Sequence, residues 1–112
     1  RTLTLSEAAA VTGWKSQVIA RWCRDGFLNG EPVSDLKRVA YQIAIEDLLA
    51  FQRQYMPLSD LARQLGTTSR ALKARLASRG VKVVGGWRDG QARRGELVTT
   101  REILSVFLNE GE

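Results

Sequence analysis

The chain carries the same order of pieces twice. Leu5-Ser6-Glu7-Ala8-Ala9 returns as Leu58-Ser59-Asp60-Leu61-Ala62. Seven residues after each serine stands a glycine, Gly13 or Gly66, and each is followed by a helical pattern that stops at a second glycine, Gly26 or Gly80. Farther on, Ile43-Ala44-Ile45-Glu46-Asp47-Leu48-Leu49 is echoed by Val98-Thr99-Thr100-Arg101-Glu102-Ile103-Leu104, so the offset drifts from 53 to 55. Self-similarity at a near-constant offset marks a repeated structural unit. The reading is two modules, 1–54 and 55–112, with a short hinge at Tyr55-Met56-Pro57, where proline disfavours a helical Met56. Modules of about 50–55 residues lie near the lower limit for independent folding.

In the first copy Ser6 is the expected N-cap of a short helix over Glu7–Thr12, and Gly13 ends it. A second helix is expected from Ser16 to Asp25, starting at Lys15 or Ser16. Its Ile19, Trp22 and Cys23 share one face, with Val18 on the flank, while Gln17, Ala20, Arg21 and Arg24 face away. Phe27-Leu28, turn chemistry at Asn29-Gly30-Glu31-Pro32, and an alternating Val39–Ile45 then predict a hairpin with Lys37 and Arg38 near its tip. A third helix begins near Glu46-Asp47.

The second copy predicts a helix over Asp60–Leu65 capped by Ser59, a turn at Gly66, and a helix from Thr68 or Ser69 to Ser78. Leu72 and Leu76 form its core pair with Ala71 beside them. Arg70, Lys73 and Ala77 face away and Arg75 flanks. Val81–Trp87 and Glu96–Thr99 are the expected strands, joined by a long basic loop over Arg88–Gly95. The last helix is Thr100–Leu108. The expected class is mainly α with small β-hairpin wings.

Histidine is absent and Cys23 is the only cysteine. The usual zinc sites and Ser-His-Asp or Cys-His nucleophilic sites therefore cannot be built, and no cofactor is expected. One cysteine makes no internal disulfide, which reads as intracellular; Cys23 itself reads as a small buried hydrophobe. Apolar runs are too short for a membrane span. The start at Arg1, without methionine, reads as a fragment or a processed chain. Charge is uneven: residues 1–53 hold seven basic and six acidic residues, whereas Arg63–Arg94 holds nine basic residues and one acid, Asp89, net +8. Such a segment suits a phosphate backbone, although a solvated basic surface has the same composition.

Two short helices around a glycine turn, each pair followed by a basic hairpin, form a helix-turn-helix pattern. The run from Leu5-Ser6-Glu7-Ala8-Ala9 through Gly13, Ile19-Ala20-Arg21-Trp22-Cys23-Arg24-Asp25-Gly26-Phe27 and Ile43–Leu48 resembles the MerR/excisionase-like winged helix-turn-helix. The second copy is similar with less fidelity: Leu76 replaces the tryptophan, and one residue is added around the second helix. The resemblance implies two tandem winged helix-turn-helix modules, with the second helix of each in a major groove and the wing on backbone or minor groove.

On that reading Gln17 and Arg21, and Arg70 and Lys73, are candidate base readers, since arginine pairs with guanine and glutamine with adenine. Lys15, Ser16, Arg24, Thr68, Ser69 and Arg75 are further candidate contacts on the two helices. Lys37, Arg38, Arg88, Arg93 and Arg94 are candidate phosphate or minor-groove contacts. Trp22 is expected in the core, Trp14 beside the turn either covers it or lies exposed, and Trp87 packs the hairpin or stacks on a base. The expected partner is double-stranded DNA, with other protein subunits or a parent-protein domain as further candidates, and the expected place is the cytoplasm, nucleoid-associated, for a bacterial or phage-encoded protein. A protein–protein adaptor on the same fold is the alternative, and RNA binding or an enzyme ranks below it.

Overall fold

The computed structural model of the chain describes residues 1–35 and 38–110. The chain divides into two units, Arg1–Gln52 and Arg53–Glu112. The first holds β1 (Thr2–Thr4), α1 (Leu5–Thr12), α2 (Ser16–Arg24), β2 (Glu31–Asp35), β3 (Arg38–Ala44) and α3 (Ile45–Gln54), whose last two residues fall past the division. The second holds β4 (Tyr55–Pro57), α4 (Leu58–Gln64), α5 (Ser69–Ser78), β5 (Val84–Asp89), β6 (Ala92–Thr99) and α6 (Thr100–Glu110). Each sheet is antiparallel with the last strand of the unit in the middle, β1-β3-β2 and β4-β6-β5. Six described helices take about half of the chain, and the two three-stranded sheets make the class mixed α/β rather than mainly α.

The extra strands explain that difference. Thr2–Thr4 pairs with Gln42–Ala44, placing Leu3 opposite Ile43. Tyr55–Pro57, expected as a hinge, pairs with Leu97–Thr99. Three residues are too short for an alternation to register, and Pro57 is tolerated because β4 is an edge strand. The same rule admits Pro32, opposite Tyr41 on edge strand β2, so Glu31-Pro32 opens a strand instead of making a turn.

The basic stretch Arg88–Gly95 is also not a loop. Asp89 pairs with Ala92, and only Gly90-Gln91 turns the chain. Gly90 has φ +65°, the sign that a two-residue II′ turn needs at its first central position. Val81 precedes the strand and closes the core behind α5, its N–H bonded to Leu76 O at 2.9 Å.

The cores match copy for copy. Ile19 and Leu72, Trp22 and Leu76, Ile43 and Val98, and Leu48 and Ile103 are all buried. Ala71, expected beside the core, is exposed. Trp14 covers the first core: its ring lies 5.2 Å from Trp22, edge-on, and 5.7 Å from Phe51. Cys23 is buried and its thiol is pushed up to about 11 by desolvation. Gly30 passes so close that a Cβ there would sit 2.8 Å from Cys23 Sγ.

Two helix starts differ from expectation. Thr4, not Ser6, caps α1: Thr4 Oγ1 accepts from the Glu7 N–H at 3.1 Å, and Glu7 Oε1 accepts from the Thr4 N–H at 3.0 Å. The helix begins directly where β1 ends, so the cap falls on the strand's last residue. In the second unit Pro57 occupies that place, ahead of Ser59, and offers no side-chain cap.

Candidate nucleic-acid interface

The glycine turns hold the second helix of each unit against the first. Gly13, at φ +80°, ends α1 in the left-handed conformation and donates to Ala9 O. Gly66, at φ +69°, does the same work after α4. Helix α2 then places Ile19, Trp22 and Cys23 inward, which leaves Gln17, Arg21 and Arg24 on one outward face by the 100° step of a helix. Gln17 and Arg24 are exposed. Arg21 is half-buried and bonds through Nε to Asp25 Oδ2 at 3.2 Å, one turn on. Lys15 is exposed at the N-cap position without a side-chain cap bond, and Ser16 is half-buried at the first turn.

Helix α5 is one residue longer than α2. The added residue lies between its buried positions, which are Leu72 and Leu76 instead of Ile19 and Trp22. Thr68 caps it, Oγ1 accepting from the Ala71 N–H at 3.1 Å, so that hydroxyl has a structural task. Ser69 is half-buried at the start of the helix, and Arg70 and Arg75 are exposed. Two residues apart on a helix, Lys73 and Arg75 point about 160° away from each other, so the cations of α5 do not share one face. Lys73 is half-buried, and its ammonium donates to Glu96 Oε2 on β6 at 2.7 Å.

The hairpin β5–β6 carries three more of the candidate cations. Arg88 lies directly opposite Arg93, and Trp87 opposite Arg94. Arg88, Arg93 and Arg94 are exposed and Trp87 is half-buried. Arg94 Nε donates to Asp89 Oδ2 at 2.6 Å, which ties the tip together. Arg93 Nε lies 3.5 Å from Glu96 Oε2. In the first unit Arg38 opens β3, its side chain outside the described part, and Lys37 lies outside the described residues altogether.

The residues that sequence reading passed over are the acids. Asp25 stands four residues after Arg21, a spacing that pairs charges on a helix. Glu96 falls just past the basic segment and draws no attention by spacing. The signal for it is Gly85-Gly86, a glycine pair inside a strand, which marks a close approach: a Cβ on Gly86 would lie 2.6 Å from Glu96 Cγ.

Among the described residues, no three His, Cys, Asp or Glu side chains gather to hold a metal ion, and no helix is long and apolar enough to cross a membrane. No protein-family model, curated protein or solved structure matches the chain.

Proposed function

We propose that the chain binds double-stranded DNA through two tandem winged helix-turn-helix modules of the MerR/excisionase-like kind. Helices α2 and α5 read major grooves, and the hairpins β2–β3 and β5–β6 lie along the backbone. The observation that carries this reading is the second hairpin. Like charges directly opposite one another weaken a strand pair, yet Arg88 faces Arg93 on a ribbon that also bears Arg94. Glu96 and Asp89 answer Arg93 and Arg94 in part, and a phosphate backbone lying across the ribbon offsets the repulsion that remains at Arg88. Charge is divided to match. Residues 1–52 hold six basic and six acidic residues, net 0, and residues 53–112 hold eleven and six, net +5.

The chain acts without a cofactor and is not an enzyme. It serves as the DNA-binding part of a larger regulatory, recombination, packaging or partition protein, in the nucleoid of a bacterial cytoplasm. The neutral first unit, which exposes Val11, Val33 and Leu49, favours one further reading for that half: a surface for another protein subunit.

Binding of duplex DNA over a salt series tests the proposal. Neutralising a phosphate-contacting cation flattens the slope of log K against log salt by about one unit. Replacing Arg88, Arg93 and Arg94 together by glutamine is expected to flatten it by about one to two units, because Arg93 is shared with Glu96. An unchanged slope removes the hairpin from the backbone, and absence of any duplex binding by the parent chain brings the adaptor reading forward.

A further inference from the structure

We propose that Glu96 is a latch that joins the second hairpin to helix α5 and withholds Lys73 from bound phosphate; the inference rests on the duplex-binding reading for its second half only. The Glu96 side chain is 10% exposed, and its Oε2 accepts from Lys73 Nζ at 2.7 Å across the gap between β6 and α5. Arg93 Nε approaches the same oxygen at 3.5 Å. One half-enclosed carboxylate thus holds a cation from the recognition helix and a cation from the wing. The backbone is shaped for it. Gly86 stands at φ +84°, and any side chain there would strike Glu96 Cγ at 2.6 Å and Arg94 O at 3.0 Å.

The first unit is an internal control. Lys73 follows the first buried residue of α5, Leu72; the residue following Ile19 in α2 is Ala20. Glu96 stands two residues before the buried Val98 of β6; the residue two before the buried Ile43 of β3 is Tyr41. Neither an ammonium nor a carboxylate stands at these places in the first unit, yet its elements and sheet order are the same. The fold therefore does not require the pair. The only unit that has it is the basic one, where an uncontrolled excess of charge favours indiscriminate binding. A carboxylate placed among cations weakens binding to any polyanion, and it favours the partner whose other contacts compensate. Glu96 is in this sense a positioning residue. It sets the angle at which wing and helix are presented together, and it removes one cation from the electrostatic footprint.

The test uses the full chain with duplex DNA of mixed sequence over a salt series, and four proteins: parent, Lys73→Met, Glu96→Gln and the double variant. With Lys73 held internally, Lys73→Met leaves the slope of log K against log salt unchanged. Glu96→Gln steepens it by about one to two units as Lys73 and Arg93 are released, and adding Lys73→Met takes about one unit back. A fifth protein, Lys73→Arg, which retains the cation, keeps the parental slope. The inference is overturned if Lys73→Met alone flattens the slope by about one unit, because Lys73 is then already on phosphate. It is overturned equally if Glu96→Gln leaves the slope unchanged. The same four proteins are unfolded by heat, and the non-additivity of their midpoints measures the Lys73–Glu96 coupling. If the parent binds no duplex, the function reading falls by itself; a non-zero coupling then keeps the latch, and a zero coupling removes it.

Discussion

Arg21 illustrates how a charged residue is held ready without being committed. Its bond to Asp25 joins two partly exposed side chains one turn apart, a pair worth about 0.3–0.5 kcal/mol on a helix surface. A bidentate contact to guanine discriminates by about 1–3 kcal/mol. On the proposed reading the base contact wins, and Asp25 would orient the guanidinium before binding and yield afterwards. Arg70 is exposed and needs no such exchange. Arg21→Ala and Arg70→Ala are each expected to cost about 1–3 kcal/mol in duplex affinity and to relax preference at one base position. Folding stability should change by no more than about 0.5 kcal/mol. Selection from a random-site library reads the outcome; the parental consensus bound with parental affinity by both variants would show that α2 and α5 are not the reading helices.

At the scale of elements, the two copies start their first helices by different means. Thr4 and Glu7 cap α1 reciprocally, and the hydrogen bond from the Thr4 N–H holds the Glu7 carboxyl below its usual range. A lowered carboxyl contributes stability above its unfolded value of about 4.5 and loses it as pH falls through the folded one. Acidification below that range should therefore loosen the start of α1. Removing the threonine hydroxyl as Thr4→Ala should cost about 1 kcal/mol near neutral pH and should leave most of the acid-dependent loss in place, because alanine keeps the backbone N–H that holds Glu7. Unfolding midpoints over a pH series measure both effects. A variant as stable as the parent at every pH would show that the cap contributes nothing. Helix α4 follows Pro57, which has no side-chain acceptor, and its start rests on burial of Leu58 and Leu61 instead.

For the whole molecule, two separate cores imply two separable stabilities. Trp22 is 2% exposed and packs 5.2 Å from both Trp14 and Phe51. Truncating such an aromatic costs about 3–5 kcal/mol, a large fraction of what a unit of this size holds. Trp22→Ala should unfold residues 1–52 while the cluster of Leu58, Leu72, Leu76 and Val98 persists in the second unit. Methyl and amide NMR signals assigned to each half follow this directly. Simultaneous loss of both sets would mean that the two units unfold as one. Because net charge lies in the second unit, the variant should also retain most of the salt dependence of duplex binding.

The repeat, the glycine stops at Gly13, Gly26, Gly66 and Gly80, and the buried faces of α2 and α5 were legible in the sequence because they depend on neighbours a turn or two away. Ile19, Trp22 and Cys23, like Leu72 and Leu76, are buried wherever a helix of that periodicity meets a core. The outward positions of Gln17, Arg24 and Arg70 follow from the same geometry. What depended on distant partners was not legible. Thr2–Thr4 and Tyr55–Pro57 become strands only because β3 and β6 offer them an edge, and Arg88–Gly95 reads as a loop until its two arms pair. The placement of Lys73 was also decided in three dimensions. Its spacing puts it on the outward face beside Arg70, but Glu96 lies 23 residues away along the chain and 2.7 Å away in space. Helical periodicity fixes the direction in which a side chain leaves its own backbone; only tertiary structure brings the group it meets there.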